Sequence, residues 1–202
     1  RGCSITIPHK SDIIPLLDKT SENVREMGAC NTLYRDGEKI CGENTDVIGF
    51  TAPLRKRSLS PETRVLVLGA GGVSRAAIAG LRRLGLANIT LPNRRKARAE
   101  ALGNEFGLLC APWEERGDVP ADLIINTTPL GMTGAQEHET PYPRAFQDNG
   151  IAYDLIYTPF QTRFLRDAAA AGWETVSGLD MFIGQGDAQF HRWTGHHLPE
   201  EA

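Results

Sequence analysis

Lys10 and Asp46 have the side-chain types that proton transfer needs. An ammonium that can release a proton, beside a carboxylate that can orient it, is the equipment of an alcohol–ketone interconversion. Each lies in a polar cluster with no evident structural purpose, Thr6-Ile7-Pro8-His9-Lys10 and Asn44-Thr45-Asp46. From spacing alone, a surface salt bridge remains the favoured reading of the pair. A second chemical signal is Gly69-Ala70-Gly71-Gly72, set between the apolar run Arg64-Val65-Leu66-Val67-Leu68 and an amphipathic stretch from Ser74 to Leu84. A strand, a glycine turn and a helix in that order form a pyrophosphate cradle. The first glycine supplies the turn, the second lets backbone approach the ligand, and the helix presents unpaired N–H groups at its positive end. The third position of the glycine pattern is Ser74, still small enough for close helix–strand packing. This context favours dinucleotide binding over a merely structural turn.

The kind of dinucleotide is also legible. An NAD site places a carboxylate about 20 residues on, to bind the ribose 2′-hydroxyl. Here the second strand ends in Pro92-Asn93-Arg94-Arg95-Lys96, with Arg98 following. Cations at a helix start oppose the helix dipole, so they ask for another purpose. A 2′-phosphate provides one, and the planar fork of Arg94 suits it best. The alternative is a solvated basic helix start. Pro92 removes a ladder donor, which is tolerable if the strand has by then left the sheet.

These residues need elements to hold them. Ile5 and Ile7 around Thr6 suggest a strand ending at Pro8, and residues 11–27 have helical spacing broken into two short helices near Lys19-Thr20-Ser21-Glu22. Residues 32–35 and 38–42 around Asp36-Gly37 read as a β-hairpin. A helix over 47–57 links two halves, and Ser58 to Glu62 is a polar boundary. Beyond it, strands at 64–68, 89–91, 123–125 and 151–156 alternate with helices at 74–84 and 97–106, and a last helix covers 181–194. Strand–helix alternation predicts a parallel α/β sheet. Leu165 and Ala168 to Ala171 are ordinary helix.

The bulk properties narrow the classes. The 202 residues are 41% hydrophobic and 23% charged, with net charge −3, so no bulk field points to nucleic acid or an anionic membrane. No apolar run approaches the ~20 residues of a membrane span. The four cysteines, Cys3, Cys30, Cys41 and Cys110, are irregularly spaced, which argues against a metal site and for buried reduced thiols. His196-His197 reads as a solvated tail, His9 as packing or lining, and Trp113, Trp173 and Trp193 as core or cover. Because the chain opens within a strand pattern and without Met, its true N-terminus is expected to lie upstream.

Taken together, the motifs resemble the shikimate dehydrogenase family. Ser4 to Lys10 is similar to its (N/S)VT(I/V)P-x-K segment, Gly28 to Thr32 to GA-x-NT, and Gly42 to Asp46 to G-x-NTD. Val67 to Ala76 resembles the GAGG(A/V)(S/A)RA loop, Asn93-Arg94 with Arg98-Ala99 the NR(T)…RA signature of NADP-dependent members, and Asn126 to Met132 the N(A/T)T-x-x-GM segment. Residues 153–159 and 177–185 resemble the C-terminal segments, in wording close to the dehydrogenase half of bifunctional dehydroquinase–shikimate dehydrogenases. The matches run in family order over essentially the whole chain.

The resemblance implies an α/β fold: a Rossmann-like NADP-binding domain over 50–177, and a partial α/β substrate domain over 1–49 to which 178–202 returns, with a cleft between them. It implies Lys10 and Asp46 as the catalytic pair and Ser4, Thr6, Asn31, Tyr157 and Gln185 as substrate contacts. For NADP it implies Gly69, Ala70, Gly71, Gly72, Val73 and Ser74 at the phosphates. Asn93, Arg94, Arg95 and Arg98 would lie at the 2′-phosphate, and Thr127, Thr128, Met132, Gly178 and Met181 towards the nicotinamide, which would lie against Asn126 to Met132. The activity implied is reversible NADPH-dependent reduction of 3-dehydroshikimate to shikimate. It would be carried out in the cytoplasm by a monomer or homodimer without metal, nucleic acid or membrane. A quinate/shikimate dehydrogenase, another paralogue, and a non-catalytic NADP-binding fragment are the alternatives. The family's Ser-x-Ser pair for the substrate carboxylate would precede Arg1. Val47 and Arg95 replace the family's usual Gly and Thr.

Overall fold

A computed structural model describes residues 2–6 and 8–199. They form two sheets. The smaller has four strands: β1 (Gly2–Ser4), β2 (Lys19–Thr20), β3 (Thr32–Asp36) and β4 (Lys39–Glu43), in spatial order β1-β3-β4-β2. The β3–β4 hairpin turns at Gly37, whose φ of +63° a glycine adopts without strain. Asp36 already pairs with Lys39, so the turn falls on Gly37-Glu38, one residue later than the Asp-Gly signal suggests.

The first strand also shifts. Pairing covers Gly2–Ser4, whereas Ile5 and Thr6 have left the strand and Ile7 lies outside the described residues. The expected pair of helices over 11–27 is replaced by a single 3₁₀ turn (Ile14–Leu16), the short strand β2 and one helix, α1 (Glu22–Met27). Pro15 confines the first piece to a turn, and Lys19 and Thr20 pair in parallel with Cys41 and Gly42. Ser21 caps α1 by accepting from the Val24 N–H, and Gly28, at φ +60°, ends it.

Helix α2 (Asp46–Leu54) leads to β5 (Val65–Leu68), α3 (Gly72–Arg83), β6 (Ile89–Pro92), α4 (Lys96–Phe106) and β7 (Leu109–Ala111). Then come β8 (Leu123–Asn126), β9 (Ile151–Asp154), α5 (Arg163–Ala170), β10 (Glu174–Val176) and α6 (Gly178–Thr194). The larger sheet is wholly parallel in the order β10-β9-β8-β5-β6-β7, the doubly wound arrangement with its reversal between β5 and β8. Successive residues of β5 face opposite sides. Val65 and Val67 pack with Ile78, Leu81 and Phe50, whereas Leu66 and Leu68 pack with Phe164, Leu165 and Trp173. Burial on both faces explains the unbroken apolar run.

Pro92 has not left the sheet. It pairs with Ala111, and its carbonyl accepts the Gly69 N–H at 3.0 Å. Its missing donor falls at the last residue of the strand, where the loss is least. Strand β9 ends at Asp154 rather than Ile156, because the Asp154 carboxylate takes the Ile156 N–H at 3.0 Å and turns the chain out. The edge strands β7 and β10 carry little hydrophobic pattern and show only in the structure. Two cysteines also differ from expectation: Cys30 and Cys41 are buried, but Cys3 and Cys110, on the thin strands β1 and β7, are exposed. Burial raises the Cys30 thiol above its ordinary range, which keeps it protonated.

Helix α2 packs on both α3 and α6 and so ties the two sheets together. Gly49 makes the α2–α6 approach possible, since a Cβ there would lie 2.5 Å from the Met181 carbonyl oxygen. Phe50, next in sequence, is fully buried and stacks on Tyr153 of β9 at 5.3 Å.

Candidate active site

Lys10 and Asp46 meet. Lys10 sits in the turn after Thr6, anchored where its carbonyl accepts the Cys30 N–H at 2.7 Å. Asp46 is the first residue of α2, where the positive end of the helix favours a carboxylate. Asn44 holds it there, accepting the Asp46 N–H at 3.0 Å and donating to the Ala29 carbonyl at 2.8 Å. Lys10 Nζ lies 2.6 Å from Asp46 Oδ2, with the two side chains 26% and 18% exposed. The exposed Lys19–Asp36 pair, at 52% and 61%, is more open. The Lys10–Asp46 pair lines a groove.

The other carboxylate oxygen, Asp46 Oδ1, accepts from Asn31 Nδ2 at 2.8 Å. Asn31 is buried, and its Oδ1 takes the Thr45 N–H at 2.8 Å, which fixes the amide with its nitrogen towards Asp46. Ser4, Thr6, Tyr157 and Gln185 line the same groove of about 550 Å³ as Lys10, Asn31 and Asp46. Tyr157 stacks on Phe182 at 5.2 Å, both exposed at its mouth.

On the other side of Lys10 and Asp46 the space continues over Gly71, Gly72, Val73 and Thr127. Sharing Gly71 and Thr127 with it, a further pocket of about 210 Å³ lies between the Gly69–Gly71 turn and Arg94, Arg95 and Arg98. This pocket lies at the carboxyl ends of β5 and β8, the reversal point where doubly wound sheets take their ligands. The turn fits a pyrophosphate. Gly69 has φ +108°, and a Cβ on it would lie 2.8 Å from Thr127 Oγ1. A Cβ on Gly71 or Gly72 would meet nothing, so that face of the loop is open to a ligand. Gly71 is the N-cap residue of α3, and the first N–H groups of a helix have no partner within it.

Ser74 differs from its expected contact role. It is fully buried, and its hydroxyl is engaged by the Gly71 N–H at 2.9 Å and by Thr127 Oγ1 at 2.7 Å. It braces the loop from beneath. Asn93 accepts the Ala70 N–H at 3.2 Å and donates to the Arg95 carbonyl at 2.8 Å, so it joins the loop to the basic segment. Among the described residues, Arg94, Arg95 and Arg98 form no ion pair. Arg95 is the N-cap residue of α4, which has no side-chain cap and no acid in its first turn. Uncompensated cations at an uncapped helix start make an anion site. The donors and the open cradle suit a phosphorylated dinucleotide.

Comparison with known proteins agrees. Residues 1–33 match the shikimate dehydrogenase substrate binding domain, and residues 178–202 the shikimate 5'-dehydrogenase C-terminal domain. The chain is 55% identical to the NADP(+) shikimate dehydrogenase of Pelobacter propionicus, over 100% of this chain and 74% of that protein. The chain belongs to the shikimate dehydrogenase family. Among solved structures, the shikimate 5-dehydrogenase of Thermus thermophilus in complex with NADP(H) and shikimate is similar at TM-score 0.87 and 38% identity. It is matched over 98% of this chain and 75% of that one. The 5-ketofructose reductase of a Gluconobacter strain is also similar, at TM-score 0.89 and 33% identity, over 98% and 74%.

Within this family frame, several residues sit differently from the motif reading. Met132 is half exposed and lines none of the three spaces described above. Asn126 is fully buried and organises its segment from inside: it accepts from the Thr128 N–H and hydroxyl, and donates to the Leu130 carbonyl and Asp154. Gly178 and Met181 line the groove beside Gln185. His9 is exposed in the turn and neither packs nor lines. The His196-His197 tail is solvent-exposed as expected, with His197 on Asp187 at 2.8 Å and stacked on His191.

Two contributors carried weak sequence signals. Gln189 is buried, one helical turn beyond Gln185, and only that i, i+4 spacing marked it. Trp113 lines the pocket opposite the glycine turn, with Arg116 stacked 3.9 Å from its ring centre. Among the described residues no group of three or more His, Cys, Asp or Glu is placed to hold a metal ion, and no helix is long and apolar enough to cross a membrane.

Proposed function

We propose that this chain reduces 3-dehydroshikimate reversibly to shikimate with NADPH. The observation that supports the reading is the Lys10–Asp46 pair at 2.6 Å, lining two adjoining pockets, the second of which shares Gly71 and Thr127 with the pocket of the glycine turn and of three arginines that have no ion-pair partner among the described residues. Bound NADPH supplies the hydride. The residues of this chain supply orientation and a proton. Lys10 Nζ carries the proton that the developing alkoxide takes, and in the reverse direction receives it from the hydroxyl. Asp46, held by Asn31 and by the start of α2, keeps Lys10 aimed and accepts a hydrogen bond from the same ring hydroxyl. Tyr157, Gln185, Thr6 and Ser4 hold the ring. Arg94, helped by Arg95, Arg98 and Asn93, takes the 2′-phosphate.

Residues 1–49 with 178–202 form the substrate side of this arrangement and residues 50–177 the nucleotide side. The reading includes a cytoplasmic enzyme, where NADPH and a polar acid are at hand, acting as a monomer or homodimer.

Lys10→Met tests the assignment. Loss of a positioned proton donor lowers kcat by about 10²–10⁴-fold. NADPH binding, followed by nucleotide fluorescence, stays as in the unmodified chain. A folded Lys10→Met chain with unchanged kcat would remove Lys10 from the chemistry.

A further inference from the structure

Exposed Ser4 lies at one end of a line of polar side chains and half-buried Asp46 at the other, with buried Gln189, Thr32 and Asn31 between them. Two obligatory backbone groups set the direction of every bond between them. The Asn31 carbonyl can only accept, and Gln189 Nε2 lies 3.2 Å from it, so the Gln189 nitrogen faces inward and Oε1 faces Ser4. Ser4 Oγ, 2.7 Å from that oxygen, must therefore donate to it. The second Nε2 proton goes to Thr32 Oγ1 at 3.0 Å, leaving the Thr32 proton for Asn31 Oδ1 at 2.7 Å. The Thr45 N–H binds the same Oδ1, so Asn31 Nδ2 faces Asp46 Oδ1 at 2.8 Å. All donors point one way, from Ser4 through Gln189, Thr32 and Asn31 to the carboxylate. Bonds aligned head to tail polarise one another, and here they terminate on the one anion of the line.

We propose that Gln189 is a positioning residue of α6 with two outputs. Through Thr32 it locks the Asn31 amide on Asp46, and through its own carbonyl it holds the Ser4 proton, so that Ser4 offers only lone pairs to a ligand and recognises a hydroxyl group. This rests on the reading of Lys10 and Asp46 as the catalytic pair and of Ser4 as a substrate contact.

Two substitutions separate the outputs. Gln189→Glu keeps an acceptor for Ser4 but loses both donors. It lowers kcat about five- to tenfold, the worth of one hydrogen bond, and leaves KM for shikimate within about twofold. Gln189→Met removes both arms, so the same fall in kcat comes with a raised KM. Thr32→Val cuts the line at an independent point and reproduces the fall in kcat, while Thr32→Ser, which keeps the hydroxyl, restores it. Folded Gln189→Glu and Thr32→Val chains with wild-type kcat would overturn the proposal. If Gln189→Glu does not fold, the Thr32 pair decides. The Asn31 side-chain amide resonances, recorded without substrate, give a reading independent of turnover. They shift in Gln189→Glu and Thr32→Val and not in Thr32→Ser, and unmoved resonances would overturn the proposal. An unmodified chain that ignores shikimate while these resonances shift would locate the failure in the substrate assignment.

Discussion

At the scale of residues, the proposed nucleotide choice depends on charge with no ion-pair partner among the described residues. Arg94, Arg95 and Arg98 flank an uncapped helix start beside the glycine turn. Removing one guanidinium from a phosphate costs about 1.5–3 kcal/mol, the worth of a charged hydrogen bond. Arg94→Ser should therefore raise KM for NADP about ten- to a hundredfold and leave KM for NAD nearly unchanged. Parallel titrations with the two nucleotides check this, and equal losses for both would mean that Arg94 only supports the fold. The chemistry of these residues was legible because charge at a helix start is unfavourable without a ligand. The role of Ser74 was not, since a small residue after a glycine turn can face outward to a phosphate or inward to the sheet. Only its burial under Thr127 separates the two.

At the scale of elements, the proposed substrate contacts depend on how closely α2 and α6 approach. Asp46 starts α2, and Gln185 and Gln189 lie along α6. A Cβ at Gly49 would stand 2.5 Å from the Met181 oxygen and 2.7 Å from the Gln185 backbone nitrogen, and backbone cannot yield as a side-chain tip does. Gly49→Ala should push the helices apart, cost about 1–3 kcal/mol as overpacking does, and raise KM for shikimate by displacing Gln185. Urea unfolding with steady-state kinetics tests both parts, and an unchanged KM in a destabilised chain would uncouple the contact from the site. Helices and buried strands were readable from periodicity in this chain. The residues before Met27 misled because Pro15 and the polar patch at Lys19 break helical spacing, and the sequence does not say that the gap would be filled by a strand pairing with β4. Strands β7 and β10 escaped for a similar reason: each has three residues, and five of those six are not fully buried.

At the scale of the whole molecule, the buried carboxyl of Asp154 makes stability depend on pH. It is fully buried behind the β8–β9 junction, and burial pushes it from its ordinary 3.8 up to about 6, although Thr162, the Ile156 N–H and Asn126 pull it back. Between those values the folded chain keeps a proton that the unfolded chain has released. Stability therefore falls as pH rises from about 4 to about 6, by up to about 3 kcal/mol from this group. Asp154→Asn, which stays neutral, should lose that part of the slope. Unfolding free energies of both chains across the window test it, and parallel curves would mean that Asp154 ionises freely in the fold.

The parallel sheet, the cleft at its reversal point and the order of the motifs along the chain were all visible in the sequence. What was hidden was the hydrogen-bonded line from Ser4 to Asp46, whose members are ordinary polar residues until the fold brings residues 4, 31, 32 and 189 together. The most direct test of the account is the initial rate of nucleotide reduction by shikimate and by quinate, each with NADP and with NAD. Rapid reduction of NADP by shikimate, with the other three combinations slow, is the predicted result. A chain that binds NADP but reduces it no faster with shikimate than without would contradict it.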